Sequence, residues 1–323
     1  MTPGARILAN GADATAAILD RLIQLKVRDE AGFKSDVLEI SIDNRDGAVA
    51  APPKGREIEV FLGYKEKGLI RQGLFVADEV TEEGPPDKIS VKCRGANLRD
   101  SLKARKARNF DAVTIGDLVA TIAAEHGYTP RVGSSLAAVQ LAHVDQTGES
   151  DMHLLTRLAQ ERDAVVKYAN GMLIFAPAAE AKSISGQALT PISLTRKDIS
   201  TYRLGAPDRG RYGSVTAYYH DRATAQRTAV TVGENAPVFT LRNDFPDAQS
   251  AQTAAEAKMQ QLNRRGTDLY LTLPGLPEAA AEAPLQLSGL PAAYNGDWII
   301  KVAEHTYRND GFTTTIEAEA AKS

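Results

Sequence analysis

Val37-Leu-Glu-Ile-Ser-Ile-Asp43 alternates apolar and polar residues and runs into the turn-forming cluster Asp43-Asn-Arg-Asp-Gly47. A period of two is the signature of a half-buried β-strand. The texture continues in Ile58-Glu-Val-Phe-Leu-Gly63, Gly73-Leu-Phe-Val-Ala-Asp-Glu-Val80 and Lys88-Ile-Ser-Val-Lys-Cys-Arg94, with Gly84-Pro-Pro-Asp87 between the last two. Short strands separated by such turn signals predict a sandwich or small barrel. The alternation stops near residue 97, where Asn97 to Arg108 is basic, and a domain boundary is expected there.

Beyond it, Thr114-Ile-Gly-Asp117 reads as a helix start. The Thr114 hydroxyl can accept from the Asp117 amide, and Gly127 stops the helix. A second helix is expected from about Ser150, with Met152, Leu154, Leu155 and Leu158 at helical offsets. Ala164-Val-Val-Lys-Tyr-Ala-Asn-Gly-Met-Leu-Ile-Phe175 places Asn170-Gly171 between two apolar runs, a strong hairpin signal. A polar, Ala- and Ser-rich stretch leads to about residue 195. The last third returns to strands, interrupted by a helix over Ala248 to Arg265, with Asp247 as cap, Arg264 and Arg265 at its negative end and Gly266 as stop. The expected fold is α+β, mainly β: two barrel-like antiparallel β domains (1–108 and 206–323, the second with the helix at about 248–265) flanking a small mixed α/β module (109–205).

The chain has 323 residues, 38 Lys plus Arg against 41 Asp plus Glu, and a net charge of −3, which carries no global mark of nucleic-acid binding. The single cysteine, Cys93, excludes an internal disulfide and reads as a small apolar filler of its strand. The N-terminus does not read as a signal peptide, and no run approaches the ~20 apolar residues of a membrane span.

A search for chemistry returns little. No two of His126, His143, His153, His220 and His305 stand at metal-ligand spacing, and there is no phosphate-binding or dinucleotide-binding glycine loop. Asp43-Asn-Arg-Asp-Gly47 fails as a calcium loop, because Arg45 takes the third position. Glu125-His126 reads as a helix end where a histidine suits the dipole. The run Lys103-Ala-Arg-Lys-Ala-Arg108 reads as a solvated linker or an ion-paired interface, with a nucleic-acid contact as the sharper alternative. No catalytic, cofactor or metal residues are expected, and the chain reads as a non-enzyme.

Taken in order, these pieces resemble the late control protein D family of contractile-tail phages, which is similar in turn to the hub half of type VI secretion spike proteins. The resemblance rests on Asp43–Gly47, Pro52-Pro-Lys-Gly-Arg-Glu-Ile-Glu-Val-Phe-Leu-Gly63 and Gly73-Leu-Phe-Val-Ala-Asp78. It continues through Thr114 to Gly127, which is similar to the helical part of LysM-like modules, and Glu149-Ser-Asp-Met-His-Leu-Leu-Thr-Arg-Leu-Ala159. Near the end it rests on Leu262-Asn-Arg-Arg-Gly266, Leu271-Thr-Leu-Pro-Gly275, Gly296-Asp-Trp-Ile-Ile-Lys-Val302, His305 and Gly311-Phe-Thr-Thr-Thr315. Asn109-Phe110 departs from it, since a tryptophan is expected there; Phe110 is expected to fill the same pocket. The resemblance implies a baseplate hub of a contractile phage tail or tailocin, made in the host bacterial cytoplasm and carried in the virion tail. It implies a homotrimeric, pseudo-six-fold ring whose partners are further copies of the chain, the tail tube, the central spike and other baseplate proteins, with no membrane and no specific nucleic acid. Phe110, Trp298, His305 and Phe312 are the structural or interface candidates. The competing expectation, from the LysM-like residues 111–133, is a peptidoglycan-binding or cell-wall-degrading tail protein.

Overall fold

The alternating run at residues 37–43 is a strand, with Leu38, Ile40 and Ile42 buried in a core shared with Val27, Val60, Phe75, Val91 and Cys93. The computed structural model describes residues 1–32, 36–95, 100–169, 171–178, 190–205, 212–221, 223–265 and 268–321. The first elements are β1 (Pro3–Ala9), β2 (Ala12–Asp13), α1 (Thr15–Leu19), β3 (Leu22–Glu30), β4 (Val37–Asp43), β5 (Glu57–Tyr64), β6 (Gly68–Glu83) and β7 (Lys88–Gly95). Next come β8 (Arg105–Thr114), α2 (Ile115–Glu125), β9 (Thr129–Val132), α3 (Ser134–Ala137), β10 (Gln140–Ser150), α4 (Asp151–Gln160), β11 (Ala164–Ala169) and β12 (Met172–Pro177). The remainder is β13 (Ile192–Thr195), β14 (Thr201–Gly205), β15 (Ser214–Asp221), β16 (Gln226–Gly233), β17 (Val238–Phe245), α5 (Ala248–Arg265), β18 (Asp268–Pro274), β19 (Pro284–Ser288), β20 (Gly296–Arg308) and β21 (Gly311–Ala320). The fold is α+β and mainly β, in agreement with the sequence.

The chain divides into two compact units, each discontinuous in sequence. One comprises Met1–Arg99, Thr190–Arg203 and Leu269–Ala318; the other comprises Asp100–Leu189, Leu204–Asp268 and Glu319–Ser323. The boundaries read near residues 108 and 205 follow texture along the chain. The contact units follow strand pairing between distant segments, which that texture does not display.

In the first unit a 13-stranded sheet runs in the order β14-β18-β21-β20-β3-β4-β7-β6-β5-β1-β2, with β19 beside β20 and β13 beside β19. This path holds one arrangement twice. The first set is β3-β4-β7-β6-β5-β1 and the second is β14-β18-β21-β20-β19-β13. Numbered by position in the chain, both sets read 2-3-6-5-4-1. The β1–β5 pairing is antiparallel, whereas its counterpart, β13–β19, is parallel. The two sets meet where β3 pairs with β20.

In the second unit β8 and β10 form an antiparallel ribbon, β11, β12 and β9 a small sheet, and β16, β15 and β17 another. Thr114 caps α2 and Asp117 closes the capping box; Ser150 caps α4 by accepting from the His153 amide. Ala169 faces Met172 across the expected hairpin, and Gly171 takes φ 74°, while Asn170 lies outside the described residues. Helix α5 spans the expected residues. Its Ser250 amide donates to Asp247, and Ala251 and Ala255 pack on Val215 and Ala217 of β15. Gly266 and the Ala- and Ser-rich stretch 179–189 lie outside the described residues.

Candidate functional site

At the junction of the two sets, Val302–Tyr307 of β20 lie antiparallel to Leu25–Glu30 of β3. Alternation sends Val27, His305 and Tyr307 into the core and leaves Lys26, Arg28, Glu304 and Thr306 on the other face. Glu304 lies 3.3 Å from the Lys26 ammonium and 3.4 Å from the Arg28 guanidinium, which also reaches Glu30 at 3.5 Å and Glu317 at 3.8 Å. Half-buried pairs of this kind contribute modestly each. Their positions hold the register, because a one-residue slip would send Val27 and His305 outward.

Beneath this ladder lies an aromatic cluster. His305 is 1% exposed. Its Nε2 donates to the Ala279 carbonyl at 3.0 Å, and Nδ1 lies 3.0 Å from the Thr314 hydroxyl. Thr314 in turn accepts from the Leu276 amide at 2.8 Å. The hydroxyl proton therefore goes to Nδ1, fixing the Nε2–H tautomer of a neutral imidazole. Burial pushes the His305 pKa below its ordinary value against the pull of the Ala279 carbonyl and of Asp29, Glu278 and Glu304. The Phe312 ring centre lies 5.9 Å from that of Tyr64, 6.0 Å from His305 and 6.3 Å from Tyr307. Gly275 lies against this ring: a Cβ there would sit 1.9 Å from a Phe312 ring carbon. Its amide donates to the Phe312 carbonyl at 2.8 Å, and its carbonyl accepts from the Tyr64 hydroxyl at 2.9 Å. Two of the four candidates, His305 and Phe312, thus come together with Tyr64 and Gly275.

The other two lie elsewhere. Trp298 is 5% exposed, opposite Leu285, and its indole donates to the Tyr294 carbonyl at 3.0 Å. Phe110, in the second unit, is half-buried opposite Val144, with the Arg108 guanidinium 4.8 Å from its ring centre.

Of the two readings of the basic run, the solvated linker is corrected and the ion-paired one holds. Arg105–Arg108 continue as strand β8, and Lys106, Arg108 and Phe110 form its half-buried side. Lys106 and Arg108 meet Asp151, which is fully buried at the first turn of α4. Asp151 accepts from Lys106, Arg108 and His126 at 2.7 Å each and from Gln146 at 2.8 Å. Burial alone would raise its pKa, but Lys106, His126, Gln146 and Arg108 together hold it at about 2. Glu125 takes Lys106 at 2.6 Å and Arg108 at 2.5 Å. His126, read as a helix-end residue, is thus part of a buried network that joins β8, β10, α2 and α4.

Among the described residues, Glu125, His126 and Asp151 are one group that could offer metal-ligand atoms, all within 4.8 Å. Lys106 and Arg108 already donate to both carboxylates, so the site does not suit a cation. Lys103 and Arg105 line an open surface hollow together with Asp145 and Glu149, a lining of mixed sign that does not favour a polyanion. A second buried pair, missed in sequence, joins Arg264 of α5 to Asp163 through a two-pronged contact, with Glu319 at 3.2 Å. None of these clusters sets a nucleophile beside a base and an oxyanion site. The His305–Phe312 cluster fixes the packing of the repeated sheet in the first unit, and the Asp151 and Arg264 networks tie together the elements of the second.

Comparison with known proteins is specific. A family model described as phage tail baseplate hub (GPD) matches residues 85–311. A probable baseplate hub protein of Escherichia phage 186 is 31% identical over 366 aligned residues, covering 100% of this chain and 94% of the relative. The chain belongs to the phage tail baseplate hub family. Among solved structures, the 43 kDa tail protein of prophage MuSo2 from Shewanella oneidensis shares the fold at TM-score 0.75 and 12% identity, with 98% of each chain covered. The E. coli c3393 protein, a component of the type VI secretion system, shares it at TM-score 0.57 and 13% identity, covering 94% of this chain and 74% of that one.

Proposed function

We propose that the chain is a non-enzymatic hub of a contractile-tail baseplate, in a phage or a tailocin, and that three copies form a pseudo-six-fold ring between the tail tube and the central spike. The observation that carries this reading is the six-strand set that occurs twice in one chain. Three such chains supply six equivalent sets, which match a six-fold tube on one side and a three-fold spike on the other. Each set acts as a barrel-type tube element, and the α/β module is a spacer. Partners are further copies of the chain, the tube, the spike and neighbouring baseplate proteins. Its place is the virion tail, after synthesis in the host cytoplasm.

In this reading His305 and Phe312 serve the core at the junction of the sets, Trp298 the core of the second set, and Phe110 the ribbon of the module. Ring contacts are head-to-tail and use two different surfaces. A permanent interface of this kind buries on the order of 2,000 Å² or more. Native mass spectrometry of the full chain, alone and with the spike protein, tests the reading. Trimer mass in either sample is expected; monomer in both overturns it.

A further inference from the structure

Strands β6 and β20 hold the same place in the two sets, and their backbones match in detail. Ile300 of β20 donates to Ala283 and accepts from Glu282; Ala77 of β6 donates to Arg56 and accepts from Gly55. Glu282 and Gly55 each stand two residues before the strand that follows, and both have positive φ, 67° and 83°. Up to Ile300 and Ala77, then, each strand keeps to its own set.

Beyond that point they differ. The same edge of β20 goes on to β3: Lys301 accepts from Ala31 at 2.8 Å, and Val302–Tyr307 pair with Leu25–Glu30. On β6, Glu79–Glu83 pair with β7 on one side, and among the described residues no strand pairs their other edge. The counterpart of β3 in the second set is β14, which pairs with β18 on one side and, among the described residues, with no strand on the other. A long strand edge left open in this way invites pairing with another chain.

We infer that the open edge of β6 at Glu79–Glu83 pairs antiparallel with the β14 edge of a second copy of this chain, as β20 pairs with β3 within one copy. The inference rests on the trimer reading and adds to it which edges close the ring. Because β6 and β14 are different surfaces, each copy offers one edge to the copy before it and the other to the copy after it, the contact that generates rings. Charge agrees with the pairing. The β6 edge, Glu79-Val-Thr-Glu-Glu83, carries three carboxylates and no cation, and Glu79 and Glu82 are exposed. Glu83 is engaged by Lys88 at 2.9 Å. The β14 side carries exposed Arg203, whose guanidinium lies 4.4 Å from the Tyr270 ring centre, and the preceding turn, Arg196-Lys-Asp198, adds two cations against one carboxylate. The junction inside the chain uses the same device, Lys26 and Arg28 against Glu304.

The test compares the full chain with Glu79→Lys/Glu82→Lys, with Arg203→Glu, and with all three changes in one chain, by native mass spectrometry and by hydrogen exchange of residues 79–83 and 201–203. The changed side chains are exposed, and unchanged thermal melting of the monomer checks folding. Reversing charge on one edge is expected to lower the trimer association constant at least about tenfold, and the triple variant to recover it. Val80→Pro, which removes an edge donor, is expected to weaken association without any change of charge. The same amides should be protected in the trimer and exchange on dilution. If the wild type is a trimer, all variants associate equally and these amides exchange freely, the edge assignment is wrong while the trimer stands. If the wild type is monomeric with and without the spike, the trimer reading fails and the edge pairing with it.

Discussion

Asp151 has no exposed surface and stays ionised because Lys106, Arg108, His126 and Gln146 all donate to it. Asp151→Asn keeps the shape but leaves two cations facing one carboxylate fewer. Breaking a buried ion pair on one side costs about 3–5 kcal/mol, which calorimetry at neutral pH should register as a lower Tm. A folded pKa of about 2, below the ordinary carboxylate value, means that the stabilisation is complete above the unfolded pKa and is lost as pH falls towards 2. The wild type should therefore lose stability over that window, and the Asn variant should not show this component. His305 has the opposite charge type and a lowered pKa, so its neutral form is the one the fold accepts. Stability linked to it is present above the unfolded value near 6.5 and declines below it, because the unfolded chain takes up the proton first. His305→Gln should flatten the fall of denaturation midpoints as pH drops below about 6.5. At this scale the sequence was partly readable. His305 and Phe312 stood out within motifs of the family resemblance. Asp151 did not, because its partners lie at 106, 108, 126 and 146, and a buried carboxylate has no local pattern.

Element by element, the readable parts were those whose cause is local. Helix α5 begins after Asp247 because Asp247 accepts from Ser250, and the capping box at Thr114 is a four-residue signal. Strand β8 was not readable, because the side it buries is Lys106, Arg108 and Phe110, and an alternation of cations carries no hydrophobic period. Trp298 fills the β20 side of the second set, and Trp298→Ala should cost about 3–5 kcal/mol by chemical denaturation. Gly275 tests the packing of β18 on β21. An added Cβ would overlap the Phe312 ring, so Gly275→Ala should cost about 1–3 kcal/mol or more, while Gly275→Ala with Phe312→Leu should recover part of it.

In the whole molecule, pairing across some 270 residues of chain decides which segments belong together, as β3 with β20 shows. The doubled strand set has the same origin. It is plain in the sheet order and absent from the residues, because a fold repeat needs only matching faces and turns. A fragment of residues 1–108, the domain that texture alone suggests, would leave Leu25–Glu30 without β20 and the core without Tyr307 and Phe312. Size-exclusion chromatography should find that fragment in open-ended aggregates, in contrast to a full chain eluting as a defined oligomer.

The β3–β20 pairing also sets a timetable. A ribosome delivers β3 some 270 residues before β20, so at ~5–20 residues per second the β3 edge waits roughly 15–55 seconds for its mate. Throughout that interval the nascent chain bears an open template, and any message truncated before codon 302 yields a product that never closes it. Closure of the sheet is thereby tied to the progress of synthesis, and the seam can shut only once the ribosome has read through β20.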